Sequence, residues 1–333
     1  MTRPSMVITR TPLRISFAGG GTDLPDFYER DYGAVLSTTI DQYLYVTVKR
    51  HGPLFHEAFR VNYSETEHVA TLEEIKNNIA RECLRFLRVD PPLYISTVGD
   101  LPEFSGLGSS SSFAVGFLNA LHTYQGERVS AGQLAEEAAH VEIDVLERPV
   151  GKQDHYAAAF GGLNFFCFRS DGSVAVESQR LAEGALGRLF DHLLMVWTGI
   201  RRDAGVVLAE QRNNIAANLS VLEGIRDYAR QLQALMRNGF DAMEMGRLLD
   251  ATWQSKRRLA STITNHQIDE WYQRAKDAGA VGGKLCGAGG GGFLLLVTSP
   301  QRRGAVRQAV AEMMEVPIRY EAQGSQVLWP FVE

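Results

Sequence analysis

The apolar positions of the chain follow two rhythms, alternate residues in some stretches and three-to-four-residue steps in others, and together they predict a strand-led βα order. Val7 to Arg50 reads as a strand, a Gly-rich turn, a short helix and further strands, the last being Tyr43 to Val48 with its β-branched and aromatic residues. Apolar residues at 72, 75, 79, 83, 84, 86 and 87 predict a helix over Leu72 to Leu87, which Pro91-Pro92 ends before a strand over Leu93 to Val98. Gly106 to Ser112 then opens directly into a helix over Phe113 to Tyr124, whose stripe is Phe113, Phe117, Leu118 and Leu121. A second helix over Ala131 to Leu146 is stopped by Pro149, and a short one at Gly151 to Phe160 precedes a strand over Leu163 to Phe168. The second half predicts a strand at Leu193 to Trp197 and long helices over Asp203 to Asn238, Asp241 to Ala260 and Asn265 to Ala278. Gly-rich residues 279 to 292, a strand over Phe293 to Val297, a helix over Arg302 to Glu315 and a last strand near Ile318 to Glu321 follow.

At 333 residues the chain exceeds the roughly 250 to 300 over which one core grows, so two α+β domains are expected, 1–175 and 176–333. No long polar linker separates them, which predicts a packed interface. A net charge of -5 offers no field for a nucleic acid backbone. Cys83, Cys167 and Cys286 stand singly, without the paired spacing of a zinc site or disulfide frame, and suit a reducing cytoplasm. Arg10 and Arg14 interrupt the apolar residues near the start, so no secretory segment is expected, and no stretch approaches the ~20 residues of a membrane span. Assembly as a homodimer is left open.

Three glycine-rich segments carry the candidate chemistry. In residues 105–112 glycines let successive N–H groups turn inward and serines add hydroxyl donors, at a helix start carrying roughly half a positive charge. That is an anion cradle, and the missing lysine after Gly108 excludes a Walker A loop. Gly287 to Gly292 satisfies GxGxxG, but a strand rather than a helix follows it, which disfavours a nicotinamide site and favours a cleft lining. Arg14 to Asp23 sets a cation and a carboxylate on either side of a glycine hinge. Glu142 and Asp154, twelve residues apart across a Pro149/Gly151 turn, can face one cleft. Phosphoryl transfer needs one group holding Mg²⁺ and another orienting the attacking hydroxyl, and Ser110 with Glu142 fits the first task.

In this order, Pro12-Leu13-Arg14 to Asp23, Gly106-Leu107-Gly108-Ser109-Ser110 and Lys284 to Gly292 resemble the three motifs of the GHMP kinases. The resemblance implies a ribosomal protein S5 domain 2-like N-terminal domain and a ferredoxin-like C-terminal domain, with ATP and Mg²⁺ bound between them. It assigns the nucleotide phosphates to Gly106, Leu107, Gly108, Ser109, Ser110 and Ser111, and Mg²⁺ to Ser110 and Glu142. Asp154 takes the place of the catalytic aspartate, Arg14 that of the charge-stabilising arginine and Asp23 that of the sugar-binding aspartate. Galactokinases carry an acidic residue and a histidine where this chain has Gly20 and Gly21, which implies a larger acceptor. Phe17 to Asp23, with Gln153-Asp154 and Gly161-Gly162, look like the heptose kinases that act on the anomeric hydroxyl of a heptose 7-phosphate. Gly20, Gly21, Thr22, Asp23, Gly289 and Gly290 then line the acceptor, and a cation among Lys152, Arg201, Arg202 and Lys284 meets its phosphate. The rivals are a kinase for an unphosphorylated sugar and a sugar- and ATP-binding sensor without turnover.

Overall fold

The computed structural model describes residues 4–52, 54–103, 105–201 and 204–331. The first half opens with β1 (Met6–Ala18), α1 (Pro25–Tyr28), β2 (Tyr32–Arg50), β3 (Phe59–Asn62) and β4 (Thr66–Val69). It continues through α2 (Asn78–Leu87), β5 (Leu93–Gly99), α3 (Ser109–Gln125), α4 (Ala131–Ala139), α5 (Gln153–Phe160), β6 (Leu163–Arg169) and β7 (Val174–Ser178). The second half holds α6 (Ala185–Asp191), β8 (Leu193–Trp197), α7 (Ala204–Asn213), α8 (Leu219–Asn238), α9 (Ala242–Lys256) and α10 (His266–Asp277). After these come β9 (Ala280–Leu285), β10 (Phe293–Thr298), α11 (Arg303–Ala309), β11 (Met314–Glu315) and β12 (Gln326–Phe331).

Alternation along β1 sets Leu13, Ile15 and Phe17 into a buried cluster while Arg14 and Ser16 take the other face. β2, 19 residues long, pairs with β6 at its start, with β1 along its middle and with β5 at its end. The first sheet therefore runs β12-β1-β2-β5-β3-β4, with β6 and β7 joined through β2. α3 crosses it buried on nearly every side, its sequence holding no acidic residue, lysine or arginine. A Cβ on Gly116 would meet the Thr11 hydroxyl at 2.5 Å, so glycine there lets α3 lie against β1. The Thr9 hydroxyl donates to the Gly116 carbonyl at 2.8 Å across the same contact.

The second sheet runs β11-β8-β10-β9, antiparallel throughout, and its β-α-β-β-α-β chain order is that of ferredoxin-like folds. One apolar cluster joins β1 and β2 of the first layer to β8, β10, α8 and α9 of the second, so the halves share a core. Each large side chain buried there contributes roughly 1.5–3 kcal/mol. Among the described residues no helix is long and apolar enough to cross a membrane.

Several elements differ from the sequence expectation. The helix expected from Leu72 is a 3-10 turn over Leu72–Glu74, closed by a Thr71/Glu74 capping box, and α2 starts afresh where the Asn77 side chain accepts from the Ala80 N–H at 3.0 Å. The helix expected to reach Leu146 widens at His140–Val145 into a π-helical turn. The stretch expected as one helix to Asn238 divides into α7, a 3-10 turn at Ala216–Asn218 and α8; its first expected residue, Asp203, lies outside the described residues. β9 was hidden by Gly282 and Gly283: α9 packs so close that a Cβ on Gly282 would fall 1.9 Å from the Gly246 carbonyl oxygen, and one on Gly283 would fall 2.3 Å from the Leu295 carbonyl oxygen of β10. The strand expected at Ile318 to Glu321 is a single bridge between Tyr320 and Ile40, and the final strand is β12. The division expected at residue 175 falls inside β7, which pairs with β6, and β12 returns to β1 in the first sheet.

Candidate active site

Arg14 is the junction of the site. Its backbone N–H donates to the Leu107 carbonyl at 3.1 Å and its Nη1 to the Gly106 carbonyl at 2.8 Å. Nε and Nη2 donate to Asp154 Oδ1 and Oδ2 at 2.6 and 2.7 Å, so one guanidinium ties β1, the glycine-serine loop and the first turn of α5 together. Burial works against the Arg14 charge, but Asp154 outweighs it and Arg14 is held above the ordinary arginine value.

Gly106 and Gly108 adopt φ +80° and +79°, and the loop ends as the N-cap of α3. The loop touches the third glycine segment backbone to backbone: a Cβ on Gly287 would lie 2.5 Å from the Gly106 Cα. Ser109, Ser110, Ser111, Arg148, Asp154 and Gly289 line a cleft of about 450 Å³, with Leu44, Ile79 and Phe113 on its apolar side. Three loop serines, two of them half-buried and open to this cleft, surround the positive end of a 17-residue helix.

Glu142 sits fully buried on the π-helical turn. Its Oε2 accepts from Ser111 Oγ at 2.9 Å and lies 2.9 Å from His155 Nε2, while Oε1 accepts from Arg148 Nη1 at 2.6 Å. Burial pushes its carboxyl up, yet His155 and Arg148 overcome that and hold it down at about 2. The serine hydrogen-bonded to Glu142 is Ser111, buried one position further into α3 than the Ser110 expected to share Mg²⁺ with Glu142. Ser110 stays half-buried and faces the cleft. The oxygens of Ser110 and Glu142 suit a hard cation, and the charge now lying against Glu142 is the Arg148 guanidinium.

Beyond Asp154 a narrower pocket, lined by Gly20, Gly21, Asp23, Gln153, Lys256 and Lys284 among others, shares Arg14 and Asp154 with the cleft. Asp23 is buried, and Oδ1 and Oδ2 accept from the backbone N–H groups of Gly21 at 2.9 Å and Gln153 at 3.3 Å. Burial and then the Asp154 charge raise its carboxyl above the ordinary range, against those two bonds.

Some expected acceptor residues face elsewhere. The Thr22 hydroxyl donates to the Gly19 carbonyl and accepts from the Ala34 N–H, so it closes the turn. Lys152 sends its ammonium to Glu136 at 3.0 Å and the Gly172 carbonyl at 2.9 Å, where those acceptors draw it outward. Gly289 lines the larger cleft, and the Gly290 N–H is used by the Ile263 carbonyl at 2.8 Å. Leu107 is buried in the shared core, contributing only its backbone. Arg201 is exposed, and Arg202 lies outside the described residues. Arg148, His155 and Lys256 escaped the sequence reading. Lys256 had a signal, since it stands at helical spacing from Leu249, Thr252 and Trp253 on the buried face of α9.

Two mixed layers meeting at glycine loops, a helix-capped anion cradle and an Arg–Asp pair define a class of phosphoryl-transfer fold, and the comparisons agree. The GHMP kinases N terminal domain matches residues 71–162 and the GHMP kinases C terminal domain matches residues 230–316. The chain belongs to the GHMP kinases. It is 30% identical over 310 residues to a D-glycero-alpha-D-manno-heptose 7-phosphate kinase of Campylobacter jejuni, covering 89% of this chain and 90% of that one. It is 23% identical to a galactokinase of Pyrococcus furiosus, over 92% of this chain and 93% of that one. The fold superposes on the crystal structure of a D-glycero-D-manno-heptose 1-phosphate kinase from Bacteroides thetaiotaomicron with a TM-score of 0.80 at 23% identity, covering 98% of this chain and 100% of that one.

Proposed function

We propose that the chain is an ATP-dependent sugar kinase that phosphorylates the anomeric hydroxyl of D-glycero-D-manno-heptose 7-phosphate. The observation that carries the reading is the position of Arg14 and Asp154, which line both the larger cleft and the narrower pocket. A nucleotide in the first and an acceptor in the second would meet at this pair. The acceptor oxygen bonds to the γ-phosphorus as the bond from that phosphorus to the β-phosphate bridge breaks, ADP departs, and the hydroxyl proton leaves by way of Asp154. Each carboxylate oxygen keeps a second lone-pair site beyond its bond to Arg14, so Asp154 can accept the hydroxyl while Arg14 fixes its direction. Arg14, held cationic, balances charge gathering on the transferring group. Ser110 and Glu142 would hold Mg²⁺, which neutralises phosphate charge when bound.

The heptose 7-phosphate assignment is supported by the Campylobacter jejuni relative over nearly the whole chain and by Gly20 and Gly21 in the acceptor pocket. Incubation with Mg-ATP and a panel of free and phosphorylated sugars, following ADP release and locating the new phosphate by ³¹P NMR, tests it. Turnover of heptose 7-phosphate with a new phosphate at the anomeric position is the expected result. Turnover of free sugars alone would overturn the acceptor, and no turnover across the panel would favour a sensor.

A further inference from the structure

Two lysines in the wall of the narrower pocket lack a counter-charge of their own. Lys284 on β9 donates to the Ser16 carbonyl at 2.6 Å, and Lys256 at the end of α9 donates to the Gly287 carbonyl. Both are buried, 2% and 5% exposed. Among the described residues the lysine ion pairs belong to Lys152 and Lys276 instead. An ammonium carries three donors, and a single backbone carbonyl satisfies one of them. Burying such a group without an anion is costly, and here two of them share one wall.

The remaining charges of the lining are Arg14, Asp23 and Asp154, so three cations face two carboxylates, an excess of one positive charge. Arg14 is taken by Asp154, and both Asp23 oxygens accept backbone N–H groups. Neither carboxylate makes an ion pair with either lysine, and the fields of Asp23 at Lys256 and of Asp154 at Lys284 do not offset burial. Burial first, and then Lys284, draw the Lys256 ammonium down to about 7; burial draws Lys284 down to about 8. Ser16 Oγ, Gln153 Oε1 and Gln211 Nε2, all in this lining, are buried without a protein hydrogen-bond partner and suit the hydroxyls of a polyol.

We infer that Lys256 and Lys284 form the binding site for a phosphate monoester that the acceptor already carries. The inference rests on the kinase reading above and deepens it. Arg14 and Asp154 stand in the same lining as the two lysines, so a phosphate held by the lysines leaves the sugar that carries it beside that pair. A phosphate dianion supplies acceptors for the unused lysine donors and reverses the charge imbalance.

Two measurements test the site. In steady-state kinetics Lys256→Gln and Lys284→Gln each raise KM for heptose 7-phosphate at least tenfold, with KM for ATP unchanged. Lys256→Arg and Lys284→Arg recover part of the loss. In calorimetry, with a non-hydrolysable ATP analogue filling the larger cleft, wild type binds inorganic phosphate and the double glutamine variant does not. Thermal melting checks folding, and Lys256→Met, which keeps the buried stem, replaces any glutamine variant that does not fold. If wild type turns over heptose 7-phosphate and the variants keep its KM, the lysine site is wrong and the acceptor stands. If wild type ignores that sugar, the acceptor is wrong and calorimetry decides the lysines: equal phosphate binding by both proteins, or none by wild type, overturns the site.

Discussion

Arg14 holds both oxygens of Asp154 at once, Nε on Oδ1 at 2.6 Å and Nη2 on Oδ2 at 2.7 Å, and spends its remaining nitrogen on the Gly106 carbonyl. The planar fork fixes the carboxylate in two dimensions, which a lysine ammonium cannot do. The same contact keeps the glycine-serine loop in register with the residue proposed to take the acceptor hydroxyl.

Asp154→Asn should therefore lower kcat by about 10²–10⁴-fold, the usual contribution of a positioned acid or base, and leave ATP binding near wild type. Arg14→Lys keeps the charge and loses the fork, so it should lower kcat more than it raises KM for ATP. Steady-state rates from ADP release, with nucleotide binding measured separately, check both. Near-wild-type turnover by Asp154→Asn would remove Asp154 from the chemistry.

Acid should weaken the fold through Glu142. Its folded value of about 2 lies below the ordinary 4.5, so its contribution is complete above about pH 4.5 and is lost as pH falls toward 2. A depression of that size at a fully buried group corresponds to roughly 3 kcal/mol. Urea unfolding of wild type and Glu142→Gln should show a gap at pH 6 that narrows to about 1 kcal/mol or less by pH 2.5. A gap of constant size would mean that Arg148 and His155 do not stabilise the charged form.

The parts of the site that were legible from sequence lie in contiguous motifs whose chemistry is local. Gly106 to Ser110 can be found this way as an anion cradle, whereas Arg14, Asp23, Glu142 and Asp154 were reached through the resemblance to the GHMP kinase motifs, and the structure brings Arg14, Gly106 and Asp154 together. Arg148 and His155 belong to no such segment; they matter because the π-helical turn and α5 bring them to opposite oxygens of Glu142. Ser111 rather than Ser110 reaches Glu142 because of a helical rotation of one residue, below the resolution of motif reading. β12 was invisible for a related reason, since its partner β1 lies at the far end of the chain and no local signal records the pairing.

Gly106→Ala should destabilise the protein by about 1–3 kcal/mol and raise KM for ATP. The φ of +80° is strained for any side chain, and the new Cβ would fall 2.8 Å from the Cys286 carbonyl oxygen. Gly287→Ala should be at least as damaging, its Cβ meeting the Gly106 Cα at 2.5 Å. Gly224→Ala, inside α8 with nothing within 4 Å, is the control and should stabilise by about 0.5–1 kcal/mol. Denaturant melts and nucleotide titrations read the three together, and equal effects at Gly106 and Gly224 would mean that the loop-to-loop contact is not structural.

The two neighbouring serines of the α3 start should separate by function. Ser110 is half-buried on the cleft, so if its hydroxyl helps hold Mg²⁺, Ser110→Ala should raise the Mg²⁺ concentration needed for tight ATP binding. Ser111 is buried with its hydroxyl on Glu142 at 2.9 Å, so Ser111→Ala should remove about 1 kcal/mol of stability, more if Glu142 is left short of a donor. Its Mg²⁺ requirement should stay near wild type, because Arg148 and His155 still hold the carboxylate. Titration of Mg²⁺ against binding of a fluorescent ATP analogue separates the pair without relying on turnover. A shifted Mg²⁺ midpoint in Ser111→Ala and an unchanged one in Ser110→Ala would move the metal ligand one residue along the helix.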